Sequence, residues 1–302
     1  MRAENIVVSG ATGWLGSELI VRLKSDNIFL NSNIYLTASK EGVFEINGSQ
    51  FAVTKLQNLK TNFSFDYFFD FGFLTREKLK IINHKEYSEI NTNIIRQSVN
   101  FIKANKPQLV VLASSGAVYK SSKYQSSKEN YLYGQLKEQQ ESEISRACNL
   151  AGSKLIIVRI FNISGSGIKK INTFAIAEFV YKSIKNQDII IQSNYNVIRR
   201  YCDISQLLDL VTKLALENKD FIFDSGGVKI EIRELASKIV EQLNSKSKII
   251  ALEIDDLLPQ DLYFSDSSDY EKLVRKYLKQ EPVSINEQIK LTKKGLIKQK
   301  LI

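Results

Sequence analysis

Gly10-Ala-Thr-Gly13-Trp-Leu-Gly16 limits the fold of this chain more than any other segment, because of what flanks it. Before it, Asn5-Ile6-Val7-Val8-Ser9 is a short apolar run; after it, Glu18 to Leu23 places Leu19, Ile20 and Leu23 on one helical side. The glycines therefore sit between a strand and a helix. In that setting Gly10 suits a tight turn, Gly13 lets backbone approach a ligand, and Gly16 permits close helix–strand packing. The first-turn N–H groups and the helix dipole favour a pyrophosphate there.

The rest of the first half repeats the rhythm. Ile34–Thr37, Tyr67–Phe69, Leu109–Leu112 and Leu155–Val158 are apolar runs of the kind found in buried parallel strands. Between them, Asn93–Lys103 and Gln135–Ala147 have helical spacing. The expected class is α/β, a doubly wound parallel sheet. After Asn162 the alternation loosens into mixed helices and short strands, which predicts a smaller mixed α/β C-terminal lobe facing the substrate. The expected division is 1–165 and 166–302, with interleaving allowed because no linker is visible.

Composition removes several alternatives. At 302 residues and 43% hydrophobic content the chain can bury a large core. No apolar run is long enough to span a bilayer, and the start lacks a signal-peptide layout. Cys148 and Cys202 lack metal-like spacing and fit a reduced, cytoplasmic protein. With His84 as its single histidine, neither a metal site nor a Ser-His-Asp triad is expected. The net charge of +9 is spread along the chain without a dense basic–aromatic block. It therefore reads as a field that attracts an anionic nucleotide substrate and not as nucleic-acid binding.

Tyr133-Gly-Gln-Leu-Lys137 carries the chemistry. A four-residue gap puts both side chains on one helical face. An ammonium beside a phenol favours the phenolate, which makes Tyr133 a proton donor or acceptor for interconverting a carbinol and a ketone.

Taken in order, these segments resemble the extended short-chain dehydrogenase/reductases, in the nucleotide-sugar epimerase/dehydratase/reductase branch. The glycines match GxxGxxG, Ser114-Ser115-Gly116-Ala117-Val118-Tyr119 resembles SSxxVY, and Tyr133 to Glu141 resembles YGxSKxxxE. Arg159 to Gly165 resembles RxFNVxG, and Arg199-Arg200-Tyr201 resembles RDF/RDY. Phe223 to Leu235 resembles NVGSG…SIxEL, and Asp266 to Leu273 resembles ADxSKxxxxLG. The likeness runs nearly end to end and implies a Rossmann-type sheet. It also implies roles. Ser115 would hold the reacting oxygen, with Ser114 the lesser alternative; Tyr133 would exchange the proton; Lys137 would lower the Tyr133 pKa and hold the nicotinamide ribose. Gly10, Thr12, Gly13, Trp14, Leu15, Gly16 and Leu56 would also contact the cofactor. Asn162 and Arg199 would contact the substrate's diphosphate, and Thr75 would face the cleft.

Departures from the family pattern shape the expectation. Dehydratases of this branch carry an Asp-Glu pair where this chain has Gly116 and Ala117, so dehydration is not expected. The segment between Tyr119 and Tyr133 is short and proline-free, which suggests an altered substrate mouth. A histidine-containing strand end is replaced by Asp70-Phe71-Gly72-Phe73-Leu74-Thr75, with Phe71 and Phe73 read as packing residues. At the end of the second strand no acid precedes Glu41, and Ser39 with Lys40 suits the extra phosphate of NADP, with NAD as the alternative. Lys55 and Asn58 replace acids that often hold adenine. The function expected is NADP-dependent 4-keto reduction of a nucleotide-linked deoxysugar, supplying surface polysaccharide. An epimerase with tightly held cofactor is the nearest alternative, and a non-catalytic nucleotide sensor the alternative from another class. Family members commonly dimerise through two helices, here those around Asn93–Lys103 and Gln135–Ala147, so a homodimer is expected despite the polar surface of the second.

Overall fold

A computed structural model describes residues 3–25, 29, 31–46, 48–59, 63–120, 128–299 and 301; the proline-free segment between Tyr119 and Tyr133 lies partly outside them. In chain order the elements are β1 (Asn5–Ser9), α1 (Trp14–Ser25), β2 (Asn33–Thr37), β3 (Gly42–Ile46), β4 (Ser49–Thr54), β5 (Tyr67–Asp70), α2 (His84–Asn105), β6 (Leu109–Ser115), α3 (Lys128–Ala151) and β7 (Lys154–Ile160). There follow β8 (Asn162–Ser164), α4 (Ala175–Ile184), β9 (Ile189–Ile191), β10 (Val197–Asp203), α5 (Ile204–Leu216), β11 (Phe221–Asp224) and β12 (Val228–Glu231). The last are α6 (Ile232–Gln242), β13 (Ile249–Ala251), β14 (Asp261–Tyr263), α7 (Ser268–Leu273) and α8 (Ile285–Lys298). Among the described residues, no helix is long and apolar enough to cross a membrane.

By packing, the chain divides into residues 1–160 with 211–223, and 161–210 with 224–302. The sequence reading places one boundary at 165. The second stretch of the first unit returns because β11 adds to the sheet beside β7.

The first unit is built on an eight-stranded sheet in the order β11-β7-β6-β5-β1-β2-β4-β3. β1 pairs in parallel with β2 and β5, and the parallel run continues through β6 to β7 and through β2 to β4. Strands in its centre are covered on both faces, so they read as unbroken apolar runs; Leu109 to Leu112 are all at 0% exposure. Val7, Phe68, Val110 and Leu112 of the sheet pack with Phe101 and Ile102 of α2 and Ile144 and Ala147 of α3. The β3–β4 hairpin, antiparallel, was not apparent from apolar patterning. Its signal is the Asn-Gly dipeptide between the paired Ile46 and Ser49, with Gly48 at φ 80°. The chain leaves β1 towards β2 on one side and later returns at β5 on the other. That reversal of strand order opens a crevice at the carboxyl ends of the strands, where ligands bind in sheets of this kind.

In the second unit β10 pairs antiparallel with β12 and in parallel with β14 and β8. β9 and β13 form a separate parallel pair. Helices α4, α6 and α8 pack on one another and bury Val180, Leu235, Ile239 and Ile289. Gln288 is fully buried among them. Its amide donates to Tyr201 and Val283 carbonyls and accepts from Ser164 Oγ (2.6 Å), so a polar group is satisfied inside an apolar layer.

Candidate active site

The turn after β1 is shaped by steric necessity. Gly10 has φ +63°, and a Cβ there would lie 2.6 Å from the Phe71 carbonyl oxygen; one at Gly16 would lie 2.4 Å from the Gly10 oxygen. No side chain fits at either place. The turn closes through Gly13 N donating to Gly10 O (2.9 Å), and α1 begins one residue later. First-turn N–H groups have no intrahelical acceptor, so the backbone presents donors to an anion.

A cleft of about 520 Å³ opens there, within the size range of small-molecule sites. Gly10, Thr12 and Gly13 form one wall, Ala38, Ser39, Lys55 and Leu56 a second, and Asp70 to Leu74 a third. Ser9 ties two walls together: its hydroxyl donates to Asp70 Oδ1 (2.6 Å) and accepts from the Phe71 and Gly72 N–H groups. Asp70 is wholly buried, and that burial pushes its carboxyl pKa up against the opposing pull of Ser9, Ser98 and Lys137. Thr37 Oγ1 is buried in the cleft wall without a hydrogen-bond partner, a polar atom a ligand hydroxyl could satisfy. The glycine cradle and this orphaned hydroxyl fit the adenosine diphosphate portion of a dinucleotide.

Ser115, Tyr133 and Lys137, the residues expected to do the chemistry, are not among those that line this cleft; Tyr133 and Lys137 lie behind Phe73. Ser115 ends β6, is 5% exposed, and its Oγ accepts from Ala117 N (3.2 Å). Ser114 Oγ instead donates to Glu141 (2.5 Å), whose two carboxylate oxygens grip Arg159 Nε and Nη2. Two motif positions with no role assigned from sequence, Glu141 and Arg159, thus tie α3 to β7 and engage the Ser114 hydroxyl.

Tyr133 and Lys137 lie one turn apart on α3. Lys137 is 4% exposed, and its Nζ donates to Ala113 O and Gln140 Oε1, both at 2.9 Å. Burial brings its pKa down to about 7, although Asp70 and Glu141 pull upward. Phe73 sits on this pair: Lys137 Nζ is 3.8 Å from the ring centroid, and the ring meets Tyr133 edge-on at 5.8 Å. Phe73 does pack, as its apolar character predicts, but what it packs on is an ammonium ion. Apolar patterning could not find that contact or Gln140.

Around the second strand's end, Ser39 lines the cleft and Lys40 is exposed outside the residues that line it. Glu41 is held by Thr54 Oγ1 (2.7 Å), Asn58 Nδ2 (2.9 Å) and Lys55 N, and these hydrogen bonds lower its pKa to about 2. Leu56 is buried in a 3₁₀ turn along the same wall. Trp14 and Leu15 open α1, and Thr75 is exposed at the start of a 3₁₀ turn over Arg76–Lys80.

In the second unit, Asn162 Nδ2 donates to the Arg200 and Tyr263 carbonyls (3.4 and 3.5 Å). Arg199, expected to meet a phosphate, is occupied by its own protein. It pairs with Asp261 Oδ2 (2.6 Å) and donates to the Ile198 and Asp261 carbonyls.

A glycine turn at the strand-order reversal of a parallel sheet defines a dinucleotide-binding enzyme fold, with a Tyr–Lys pair on the helix that follows β6. The NAD dependent epimerase/dehydratase family model matches residues 6–224, and the chain belongs to that family, as an enzyme of the extended short-chain dehydrogenase/reductase type. Solved structures agree in fold. A UDP-N-acetylglucosamine 4-epimerase from Methanobrevibacter ruminantium, in complex with UDP-N-acetylmuramic acid, is 18% identical with TM-score 0.76, covering 99% of this chain and 100% of its own. TunA, described as an NAD-dependent NDP-hexosamine 5,6-dehydratase of tunicamycin biosynthesis, is 14% identical with TM-score 0.74, covering 97% and 98%. A UDP-glucuronic acid 4-epimerase from Bacillus cereus, with UDP-glucuronic acid and NAD, is 16% identical with TM-score 0.72, covering 99% and 100%. No curated protein sequence matches the chain.

Proposed function

We propose that this chain catalyses oxidoreduction at a carbinol carbon of a nucleotide-linked deoxysugar, as an NADPH-dependent 4-ketoreductase supplying sugars for a surface polysaccharide. The observation that carries this reading is Lys137, buried one turn from Tyr133 on the same helix and held by two neutral acceptors. A lysine so placed can favour the Tyr133 phenolate without being neutralised by a carboxylate in direct contact. Tyr133 protonates the oxygen as the carbonyl is reduced, and Ser115 donates a hydrogen bond to the same oxygen. The dinucleotide, when bound, supplies the hydride. Gly10, Gly13 and the first turn of α1 hold its diphosphate, and Ser39, with Lys40 beside it, meets the 2′-phosphate. Thr12, Trp14, Leu15 and Leu56 complete its contacts.

Gly116 and Ala117 follow Ser115, and Glu141 is bound to Arg159, so no acid from these positions serves an elimination of water. Asn162 and Arg199 are the proposed diphosphate contacts. Arg199 would reach a phosphate by sharing its planar fork with Asp261. Thr75 would face the sugar. Epimerisation is the second reading, favoured by the family's own description. It uses the same serine, tyrosine and lysine, and differs in keeping the ketosugar and cofactor bound through both hydride transfers. A homodimer through α2 and α3 belongs to this proposal. Its seam would include the polar groove of Lys103, Gln139, Ser142, Glu143 and Arg146, and sedimentation at a mass near the 34.4 kDa chain would exclude it.

Incubation with NADPH or NADH and dTDP-, CDP-, UDP- and GDP-linked 4-ketosugars tests the reading. Stoichiometric loss of NADPH, faster than of NADH, is expected. Interconversion of unreduced nucleotide sugars without net cofactor consumption would move the assignment to epimerase, and no turnover with either set would leave a binding module.

A further inference from the structure

Phe73 lines the nucleotide cleft and also touches both Tyr133 and Lys137. An ammonium has three N–H donors. Lys137 spends two of them on Ala113 O and Gln140 Oε1. The centroid of the Phe73 ring stands 3.8 Å from the nitrogen, so the ring covers part of its surroundings. A hydroxyl accepting from that N–H needs its oxygen at about 2.7–3.2 Å. An oxygen at that distance and a ring at 3.8 Å cannot share the same side of the nitrogen without overlapping. The cation–π contact also stabilises the covered state, because a desolvated ammonium gains most from a ring face.

We propose that Phe73 is a cover over Lys137, and that its ring must swing away before the ribose at the far end of a dinucleotide can engage the lysine. The proposal rests on the cofactor reading given above. Under it, the cleft accepts an adenosine diphosphate group with Phe73 in place. The second ribose enters only at the cost of breaking the lysine–ring contact. Phe73 thereby discriminates between nucleotides by what lies beyond their diphosphate.

The test compares ADP, ADP-ribose and NADP(H) or NAD(H) binding by calorimetry in the parent, Phe73→Ala and Phe73→Leu. ADP affinity is expected to be the same in all three. ADP-ribose and the dinucleotides should bind Phe73→Ala about three- to thirty-fold more tightly, the span a cation–ring contact is worth. Phe73→Leu, which keeps apolar bulk but offers no ring face, should fall between and guards against misfolding of the alanine variant. An NMR titration of ¹³C-labelled lysine reads the uncovering directly: because burial is the largest cause of the lowered Lys137 midpoint, regained hydration in Phe73→Ala should raise it by more than the lost ring contact lowers it. Equal gains for ADP and ADP-ribose, or no gain for ADP-ribose where the parent binds dinucleotide, would overturn the cover and leave the cofactor reading standing. Failure of every protein to bind any of the nucleotides would overturn the cofactor reading and the proposal together.

Discussion

The end of α3 nearest Phe73 and the middle of β10 hold their cations in opposite ways. Lys137 is buried against neutral acceptors and a ring, and its pKa is drawn down to about 7. Arg199 is partly exposed and closed by a carboxylate at 2.6 Å. A lysine kept short of counter-charge has a proton that responds to its surroundings. An arginine given a carboxylate at this distance is a fastening, because its planar fork is already filled. Under the proposed function, the difference separates a group arranged for chemistry from one arranged for shape.

The most severe way to break this contrast is to remove Tyr133, the group that Lys137 influences under the proposed function. Tyr133→Phe should lower turnover by roughly a hundredfold or more while leaving cofactor affinity nearly unchanged, since a positioned acid contributes on that order. Stopped-flow reduction and equilibrium dialysis measure the two separately. Activity within a few-fold of the parent would detach α3 from the chemistry.

A pH series sharpens the contrast, because the two regions should answer differently. If the Lys137 cation is required, kcat/KM falls as pH rises above about 7, by about tenfold per unit. Stability moves the other way. The folded-state pKa lies below the unfolded value of about 10.4, so between those two values the unfolded chain binds the extra proton and stability rises with pH. From pH 7 to 9 this contributes about 2 kcal/mol. Lys137→Met should abolish that slope in urea unfolding. Replacing Arg199, which lies in the second unit and makes none of the Lys137 contacts, should leave it intact.

The smallest effect belongs to β10 itself. Asp261→Asn removes the carboxylate from Arg199 and should cost about 1 kcal/mol, the scale of a partly exposed pair. If Arg199 is also a phosphate contact, freeing its fork should tighten UDP or dTDP binding at low salt. Unchanged nucleotide affinity would confine Arg199 to fastening.

What could be read beforehand follows the same division. The parallel strands were legible because burial on both faces forces continuous apolar runs, and the glycine turn because only glycine fits against the Phe71 carbonyl. The Tyr–Lys spacing was legible because helical geometry alone aligns it. Phe73, Gln140 and Asp261 were not, since each matters through a partner distant in sequence and carries no periodic signature. The β3–β4 hairpin escaped because its exposed strands leave Val43 and Glu45 in water, so no apolar pattern marks them.

The return of residues 211–223 to the first unit has a consequence for synthesis on the ribosome. β7 is complete at Ile160, yet its outer neighbour β11 begins only at Phe221. At the usual 5–20 residues per second, roughly 3–12 s pass in between. During that interval Leu155 to Val158 present an open row of backbone donors and acceptors, with Asp220, which later accepts from Leu155 N, still unmade. An apolar strand edge left bare is a template for the wrong partner. The nascent chain is therefore most vulnerable to aggregation after its nucleotide-binding core has formed, and a chaperone that shields one strand for a few seconds would be enough to carry it through.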